Sequence, residues 1–137
     1  DCDTTTDRIL EGVAVPMGQM LAGIIEGTPG ADFVEELTPA PGDHVIDKRR
    51  SSAFYNTNLE SLLLSLGIHT LITTGVGTDG CVENTVRSAR DRDFHVIVLS
   101  DCCATRTRDE HEFPIRNTFR RMGRVRTSDE IVATLEG

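Results

Sequence analysis

The residues best suited to chemistry in this chain lie around Cys81. Residues 69–74 are apolar enough to predict a strand, and a turn rich in Gly and Thr follows over 75–80. A helix is predicted over 81–92, so Cys81 would lie where backbone N–H groups and the helix dipole favour a thiolate. Glycines before it let N–H groups point at a bound oxyanion. The segment predicts a nucleophilic cysteine for acyl transfer, against the alternative of a buried structural thiol.

Lys48 is the second candidate for a chemical role. It follows a predicted strand over residues 44–47 and would therefore lie at a carboxyl edge of the sheet, where ligands bind in open α/β folds. An ammonium group beside a thiol favours the thiolate and can help to place a proton. The alternative is a solvated lysine at the end of a strand, and Arg49 and Arg50 compete for the same role.

The remaining titratable and sulfur-bearing residues are expected to be structural. Asp101 ends a strand predicted over 95–100 and is expected to cap the turn that follows. Cys102 and Cys103 are expected to be packing thiols, and His111 is expected to be a surface residue of a helix. The cysteines show neither the pattern of a small disulfide scaffold nor a CxxC spacing, and no HxxxH is present. We therefore expect no metal site and no cofactor.

Charge and hydropathy exclude several kinds of partner. The net charge of −8 and the isoelectric point near 4.9 argue against nucleic acid and against anionic membranes as partners. No apolar run approaches the roughly 20 residues that cross a bilayer, and no signal-peptide pattern is present. The cysteine pattern indicates a reducing compartment, so we expect the protein in the cytoplasm.

Predicted strands and helices alternate over most of the chain. Residues 1–43 indicate long connections, with a short helix over Ala31–Leu37 and a turn over 39–43. Strands are predicted over 44–47, 69–74, 95–99 and 124–126, and helices over 59–66 (between a cap at Asn58 and a stop at Gly67), 81–92, 109–122 and 129–136. This order predicts a three-layer α/β/α fold in one domain over 1–137, with helices on both faces of an open parallel sheet.

Several motifs follow one another in a recognisable order. They are Glu26–Gly30, Leu37 with Pro39 and Gly42-Asp43, Lys48 with Ser52-Ala53-Phe54 and Thr57-Asn58-Leu59, Gly75–Val82, Thr85 with Arg87 and Ala89, Asp101–Ala104, and Arg124-Val125. In this order they resemble the isochorismatase-like cysteine hydrolases over residues 26–137. That family includes nicotinamidases and the amidohydrolases of N-carbamoylsarcosine, biuret and ureidoacrylate.

The resemblance implies a Cys–Lys–Asp triad with Cys81 as the nucleophile and Lys48 as its charged partner. It also implies a cis peptide bond at Val76–Gly77, which would direct the N–H groups of Gly77 and Cys81 at one oxyanion. The substrate would be a small amide or ureido compound. Its pocket would be lined by Ser52, Phe54, Tyr55 and Thr78, although Phe54 is equally expected in the core.

One departure from the family concerns the start of the chain. The family's sheet has the order 3-2-1-4-5-6, and its catalytic Asp ends the first strand. Residues 1–25 show no apolar segment that would form this strand, and the first two strands are not recognisable. We therefore expect an N-terminal segment or a second chain to supply the Asp. The metal site of nicotinamidases also uses upstream residues, and the family resemblance further suggests a homo-oligomer.

The function expected from the resemblance is hydrolysis of a C–N amide or ureido bond through a Cys81 thioester. Asp79 in the turn before Cys81 resembles the ureido and carbamoyl amidohydrolase branch more than the nicotinamidase branch. One alternative is a catalytically inactive subunit that acts in binding or assembly. Another is a redox-sensing thiol with Cys102 or Cys103 as its resolving partner.

Overall fold

A computed structural model of the chain describes residues 27–136, and the chain divides into two compact units, Asp1–Val45 and Ile46–Gly137. The single domain predicted for residues 1–137 stays a prediction. Among the described residues, no helix is long and apolar enough to cross a membrane.

The described part of the first unit consists of turns and one short helix. The predicted helix over Ala31–Leu37 is wrong in extent, because only Glu35–Leu37 is helical, as a single 3-10 turn. The turn predicted over 39–43 is confirmed. Its backbone closes with a hydrogen bond from the Asp43 N–H to the Ala40 carbonyl at 3.0 Å, and the Asp43 carboxylate accepts from the Ala40 N–H at 2.8 Å.

The second unit contains an open parallel sheet with helices packed against it, which confirms the predicted α/β class. Its helices are α1 (Leu59–Ser65), α2 (Glu83–Arg90), α3 (Arg108–Phe113), α4 (Phe119–Met122) and α5 (Ser128–Glu136), and its strands are β1 (Thr70–Val76), β2 (His95–Ala104) and β3 (Arg124–Arg126). The sheet has the order β1-β2-β3, so strands that follow one another in the chain are neighbours, and both pairs are parallel.

The prediction of a strand over residues 44–47 is wrong. No regular strand is present there, because none of the described strands pairs with this segment, and an extended segment needs a hydrogen-bonded neighbour to join a sheet. Lys48 therefore follows an irregular segment. Its position depends on side-chain contacts instead of a sheet ladder.

The core of the second unit lies between the sheet and α2. Val96 and Val98 of β2 pack with Val86 of α2, with Phe94 and with Phe119 of α4, and all of these side chains are buried. Alternate residues of β2 carry the apolar side chains of this face, as the two-residue repeat of a strand requires. The core thereby fixes α2 against the sheet near its carboxyl edge.

Helix α1 ends as the sequence predicts. Gly67 adopts a left-handed φ of 65°, its N–H donates to the Leu64 carbonyl, and the Ile68 N–H donates to the Leu63 carbonyl. This pair of hydrogen bonds is a Schellman motif, which favours glycine because a side chain is strained at positive φ. The predicted Asn58 cap is only half right, because Asn58 precedes the helix but its side chain makes no capping hydrogen bond.

The single helix predicted over 109–122 is divided into three parts. Between α3 and α4 the residues Pro114–Thr118 form a π-helical segment. Pro114 has no N–H to continue the α-helical ladder, and the wider turn accommodates it. The side-chain amide of Asn117 donates to the Phe113 carbonyl at 3.0 Å, so a side chain satisfies one of the carbonyls at this junction.

Strand β2 continues to Ala104, beyond the predicted end at residue 99. Its pairing with β1 is regular up to Thr73 opposite Val98, and then shifts so that Gly75 lies opposite Cys103 and Val76 opposite Ala104. This irregularity gives β2 extra residues relative to β1. As a result, Ala104 lies beside the turn that precedes Cys81.

Asp101 has the structural role that we expected, but at another place. Its carboxylate accepts hydrogen bonds from the Ser128 N–H at 2.9 Å and from the Ser128 hydroxyl, so it caps α5 and not the turn after β2. Within the same helix start, Glu130 accepts from the Thr127 N–H, and Thr127 Oγ1 accepts from the Glu130 N–H. The two reciprocal bonds form a capping box. The hydrogen bonds from Ser128 hold the pKa of the Asp101 carboxyl below its ordinary value.

The Asp101 cap gives stability a predictable dependence on pH. Because the folded-state pKa lies below the ordinary value of 3.8, the carboxylate stabilises the fold above that pH, and this contribution is lost as the pH falls through the lowered pKa. We expect Asp101→Asn to lower the Tm at pH 7, and the difference from the wild type to shrink towards pH 3. Thermal unfolding followed by circular dichroism measures both. A difference of equal size at the two pH values, or an equal effect of the control Asp91→Asn at the end of α2, would contradict this role.

Candidate active site

Cys81 lies in a π-helical turn, Thr78–Val82, that leads directly into α2. Helical structure therefore begins earlier than the predicted start at residue 81, and the thiol is inside the turn instead of at its first position. The Val82 N–H donates to the carbonyl of Gly77, five residues earlier, at 2.9 Å. This spacing is one residue longer than in an α-helix and defines the turn as π-helical. The Cys81 side chain is half-buried, as a nucleophile that must meet a small molecule requires.

Gly77 makes the chain reversal before Cys81. It has φ 87° and ψ 61°, in the left-handed region, and a Cβ at this position would lie 3.3 Å from the Cys81 nitrogen and 3.8 Å from its sulfur. A side chain here would be strained and would crowd the thiol. The described residues contain no cis peptide bond, so the bond at Val76–Gly77 is trans and the predicted cis bond is wrong. The positive φ at Gly77 turns the chain instead.

The Gly77 N–H, one of the two donors predicted for the oxyanion site, already has a hydrogen-bond partner. The Gly77 N–H donates to the Ala104 carbonyl at 2.7 Å, because the irregular end of β2 brings Ala104 beside it. This N–H is therefore occupied in the structure, and its role as an oxyanion ligand stays a prediction. The Cys81 N–H stays a prediction for that role.

Lys48 lies next to the thiol. Its Nζ is 3.6 Å from Cys81 Sγ and donates to the Arg50 carbonyl at 3.2 Å. Lys48 thus has a described contact with Cys81, whereas the Arg50 guanidinium donates to the Arg49 carbonyl at 2.8 Å. The Lys48 side chain is exposed, so water and salt screen its charge, and the pair depends on holding this short distance.

A cavity of about 210 Å³ opens beside this pair. It is bounded by the carboxyl end of β1, the π-helical turn and the segment after Lys48. Its lining residues are Lys48, Ala53, Thr73, Thr74, Gly75, Val76, Cys81, Val82 and Thr85. None of these described residues is an Asp, a Glu or a His, so the cavity wall described here provides a nucleophile and a cation but no general base.

The four residues predicted to bind substrate lie elsewhere. Phe54 is buried in the core, where its ring is 5.7 Å from that of Phe94, and Thr78 has no exposed surface. Ser52 shares a hydrogen bond of 2.8 Å with Ser88, and Tyr55 is largely exposed. None of the four lines the cavity. Aromatic and hydroxyl side chains serve packing and turn formation as readily as binding, and the sequence could not separate these roles.

Two side-chain contacts that the sequence did not reveal hold the turn around Cys81. Thr78 Oγ1 lies 2.9 Å from Nδ1 of His111, so His111 is a contact of the turn and not the surface residue that we predicted. The Thr105 hydroxyl donates to Asp79 Oδ1 at 2.7 Å. Each contact joins residues far apart in sequence, so no local sequence pattern predicts it. Asp79 therefore ties the turn to the end of β2.

The other described cysteines have different surroundings. Cys103 is buried, and burial raises the pKa of its thiol, which keeps it protonated at neutral pH. It is a packing thiol, as predicted. Cys102 is exposed, so the same prediction is wrong for this residue, which lies on the solvent side of β2. Among residues 27–136, no group of three or more His, Cys, Asp or Glu residues is arranged to hold a metal ion.

The chain matches known proteins over most of its length. The family model of the isochorismatase domain matches residues 15–130. A ureidoacrylate amidohydrolase of Pantoea ananatis is 47% identical over 62% of this chain and 33% of its own length. A maleamate amidohydrolase of Pseudomonas putida is 32% identical over 90% of this chain and 58% of its own length. The chain thus spans between a third and three fifths of these relatives.

Solved structures share the fold. An isochorismatase-like hydrolase from Alkaliphilus metalliredigens has a TM-score of 0.78 at 36% identity, over 81% of this chain and 60% of its own. An N-carbamoylsarcosine amidase from Thermoplasma acidophilum has a TM-score of 0.72 at 29% identity, over 94% of this chain and 68% of its own.

Removing the Lys48 charge is expected to slow reaction of the neighbouring thiol. In Lys48→Met the alkyl chain remains and the ammonium is lost, so the thiolate loses its partner. We expect the rate of Cys81 alkylation by iodoacetamide at pH 7 to fall about threefold to tenfold, because a smaller fraction of the thiol is then present as the reactive thiolate. Peptide mass spectrometry resolves the site. The matched control Arg50→Met removes a nearby charge and is expected to leave the rate unchanged; equal rates in Lys48→Met and wild type would remove Lys48 from the site.

Proposed function

Since this chain belongs to the isochorismatase family, we propose that it is a cysteine hydrolase that cleaves a C–N amide or ureido bond of a small molecule. The observation that carries the proposal is the 3.6 Å approach of Lys48 Nζ to Cys81 Sγ at the wall of a cavity. A cation beside a half-buried thiol suits a nucleophile, because it stabilises the thiolate that attacks.

The first half of the proposed reaction forms a thioester. The Cys81 thiolate attacks the substrate carbonyl carbon, and the carbonyl oxygen takes the negative charge of the tetrahedral intermediate. The Cys81 N–H is our candidate donor to that oxygen, and a well-placed donor of this kind lowers a barrier by roughly 3 kcal/mol. The C–N bond then breaks, the nitrogen takes the proton that the thiol lost, and ammonia or an amine leaves.

The second half hydrolyses the thioester. Water attacks the same carbonyl, the C–S bond breaks, and the Cys81 sulfur recovers a proton. Both halves need a group that carries a proton between sulfur, nitrogen and water. No Asp, Glu or His among the described residues lines the cavity. We therefore propose that a carboxylate from outside residues 27–136 of this chain, or from a second chain, acts as the proton carrier.

The proposed substrates are small and carry a carbamoyl or amide group. The cavity of about 210 Å³ is below the range of roughly 300–1,000 Å³ that suits drug-sized ligands. The relatives are named for ureidoacrylate, maleamate and N-carbamoylsarcosine, all of which are small molecules with such a group. These compounds are the first substrates to assay.

A second candidate function has one observation in its favour. The described cavity wall lacks a general base, which is what a catalytically inactive subunit with a role in binding or assembly would also show. Gly77 and Lys48 argue for the enzyme. A subunit without activity has no physical need for a glycine that clears space around a thiol, nor for a lysine held beside it.

Removing the sulfur tests the proposed enzyme. We expect the wild-type chain to release ammonia from at least one of the three relatives' substrates, and Cys81→Ala to lower this rate by a factor of about 10³ or more, because the nucleophile is lost. Coupled detection of ammonia measures the rate. The control Cys102→Ala, which removes an exposed thiol, is expected to keep full activity.

Two results would count against the enzyme. Activity that survives in folded Cys81→Ala would remove Cys81 as the nucleophile. An absence of ammonia release with all three substrates, from a wild-type chain whose Cys81 alkylates no faster than Cys102, would favour the inactive subunit.

A further inference from the structure

We propose that Thr85 is a positioning residue, which holds the Lys48 segment against the helix that carries Cys81 and so sets the distance between ammonium and thiol. The proposal rests on the function proposed above for Lys48 and Cys81. It concerns a residue of α2 that has no expected role in the chemistry of the thiol itself.

The Thr85 hydroxyl makes two hydrogen bonds to the two sides of the site. It donates to the Cys81 carbonyl at 2.7 Å and accepts from the Ala53 N–H at 3.1 Å. The first bond is the ordinary contact of a helical threonine with the carbonyl four residues earlier. The second bond crosses to the segment that follows Lys48. One oxygen atom therefore joins the backbone of the nucleophile to the backbone of the lysine segment.

The lysine segment needs such a contact because it has no secondary structure of its own. Residues 46–48 pair with none of the described strands, and bends and turns follow up to Asn58. Lys48 is exposed, so burial does not hold its side chain. The distance between Lys48 Nζ and Cys81 Sγ therefore depends on the contacts that hold the backbone after Lys48.

The segment after Lys48 contacts α2 through two neighbouring residues, Ser52 and Ala53. Beside the Ala53–Thr85 bond, the hydroxyls of Ser52 and Ser88 share a hydrogen bond of 2.8 Å. Thr85 and Ser88 are three positions apart on α2 and so lie on one face of the helix. Phe54 follows in the core, with the guanidinium of Arg92 5.2 Å from its ring centre. Of these contacts, the one through Thr85 also reaches Cys81.

Thr85 also lines the cavity together with Ala53, Lys48 and Cys81. Thr85 is half-buried, and loss of its hydroxyl would leave the Ala53 N–H without this acceptor. The segment after Lys48 would then be held to α2 less tightly, because one of its hydrogen bonds to that helix is lost. The ammonium would follow, and the thiolate would lose stabilisation although Lys48 itself is intact.

The test compares alkylation of Cys81 at two pH values. The ratio of the iodoacetamide rate constant at pH 7 to that at pH 10 reports the thiolate fraction, and it cancels changes in access to the sulfur. We expect Thr85→Val to lower this ratio by at least about threefold, a direction shared with Lys48→Met. Thr85→Ser retains the hydroxyl and is expected to stay within about twofold of the wild type. Substrate turnover is not needed, so the test stands even if the proposed hydrolase activity fails.

The matched control is Thr134→Val on α5. The Thr134 hydroxyl donates to the Glu130 carbonyl at 2.7 Å, which is the same contact with the carbonyl four residues earlier. It should leave the ratio unchanged. A general effect of losing a helical threonine would instead lower the ratio in both variants and overturn the proposal.

Coupling between the two residues supplies the decisive comparison. If Thr85 acts through Lys48, the double variant Lys48→Met/Thr85→Val has the same ratio as Lys48→Met alone. A further drop in the double variant, or a wild-type ratio in folded Thr85→Val, contradicts the proposal. Should circular dichroism show that Thr85→Val is unfolded, Thr85→Ala removes the same two hydrogen bonds without placing a second methyl group against Ala53, and the same outcomes apply.

Discussion

The arrangement of the site depends on the left-handed turn at Gly77. Its φ of 87° reverses the chain after β1, and its missing side chain leaves room for the backbone and sulfur of Cys81. Its carbonyl accepts the Val82 N–H and starts the π-helical turn, while its N–H is bound by the Ala104 carbonyl at the irregular end of β2. One residue thus connects the sheet, the turn and the thiol. A side chain at this position would disturb all three connections together.

The turn that carries Cys81 is held from two directions. On one side, Thr105 and His111 bind the side chains of the turn and tie it to the end of β2 and to α3. On the other side, Thr85 ties it to the segment of Lys48. Such support keeps a reactive group within a narrow range of positions, which is the condition for a preorganised site. The thiol and the ammonium therefore meet although the lysine segment has no regular structure.

Local patterns predicted the parts of this molecule that local forces determine. The apolar runs of β1 and β2 and the glycine stop at Gly67 follow from side-chain periodicity and backbone freedom, and the structure bears them out. The nucleophile turn was recognisable because Gly77 and Cys81 are close in sequence. Three features that the sequence did not reveal depend on residues far away in the chain. A strand before Lys48 requires a pairing partner, the occupied N–H of Gly77 requires a register shift in β2, and the contact of His111 crosses between two elements.

The central claim is that the surroundings of Cys81, rather than its exposure, make it the reactive thiol. The structure offers an internal comparison, because Cys102 is more exposed than Cys81. The most direct measurement is competitive alkylation of the wild-type chain with limiting iodoacetamide at pH 7, read by peptide mass spectrometry. The account predicts that Cys81, with Lys48 Nζ beside its sulfur, is labelled several times faster than Cys102. Faster labelling of Cys102 would contradict it, because reactivity would then follow exposure alone.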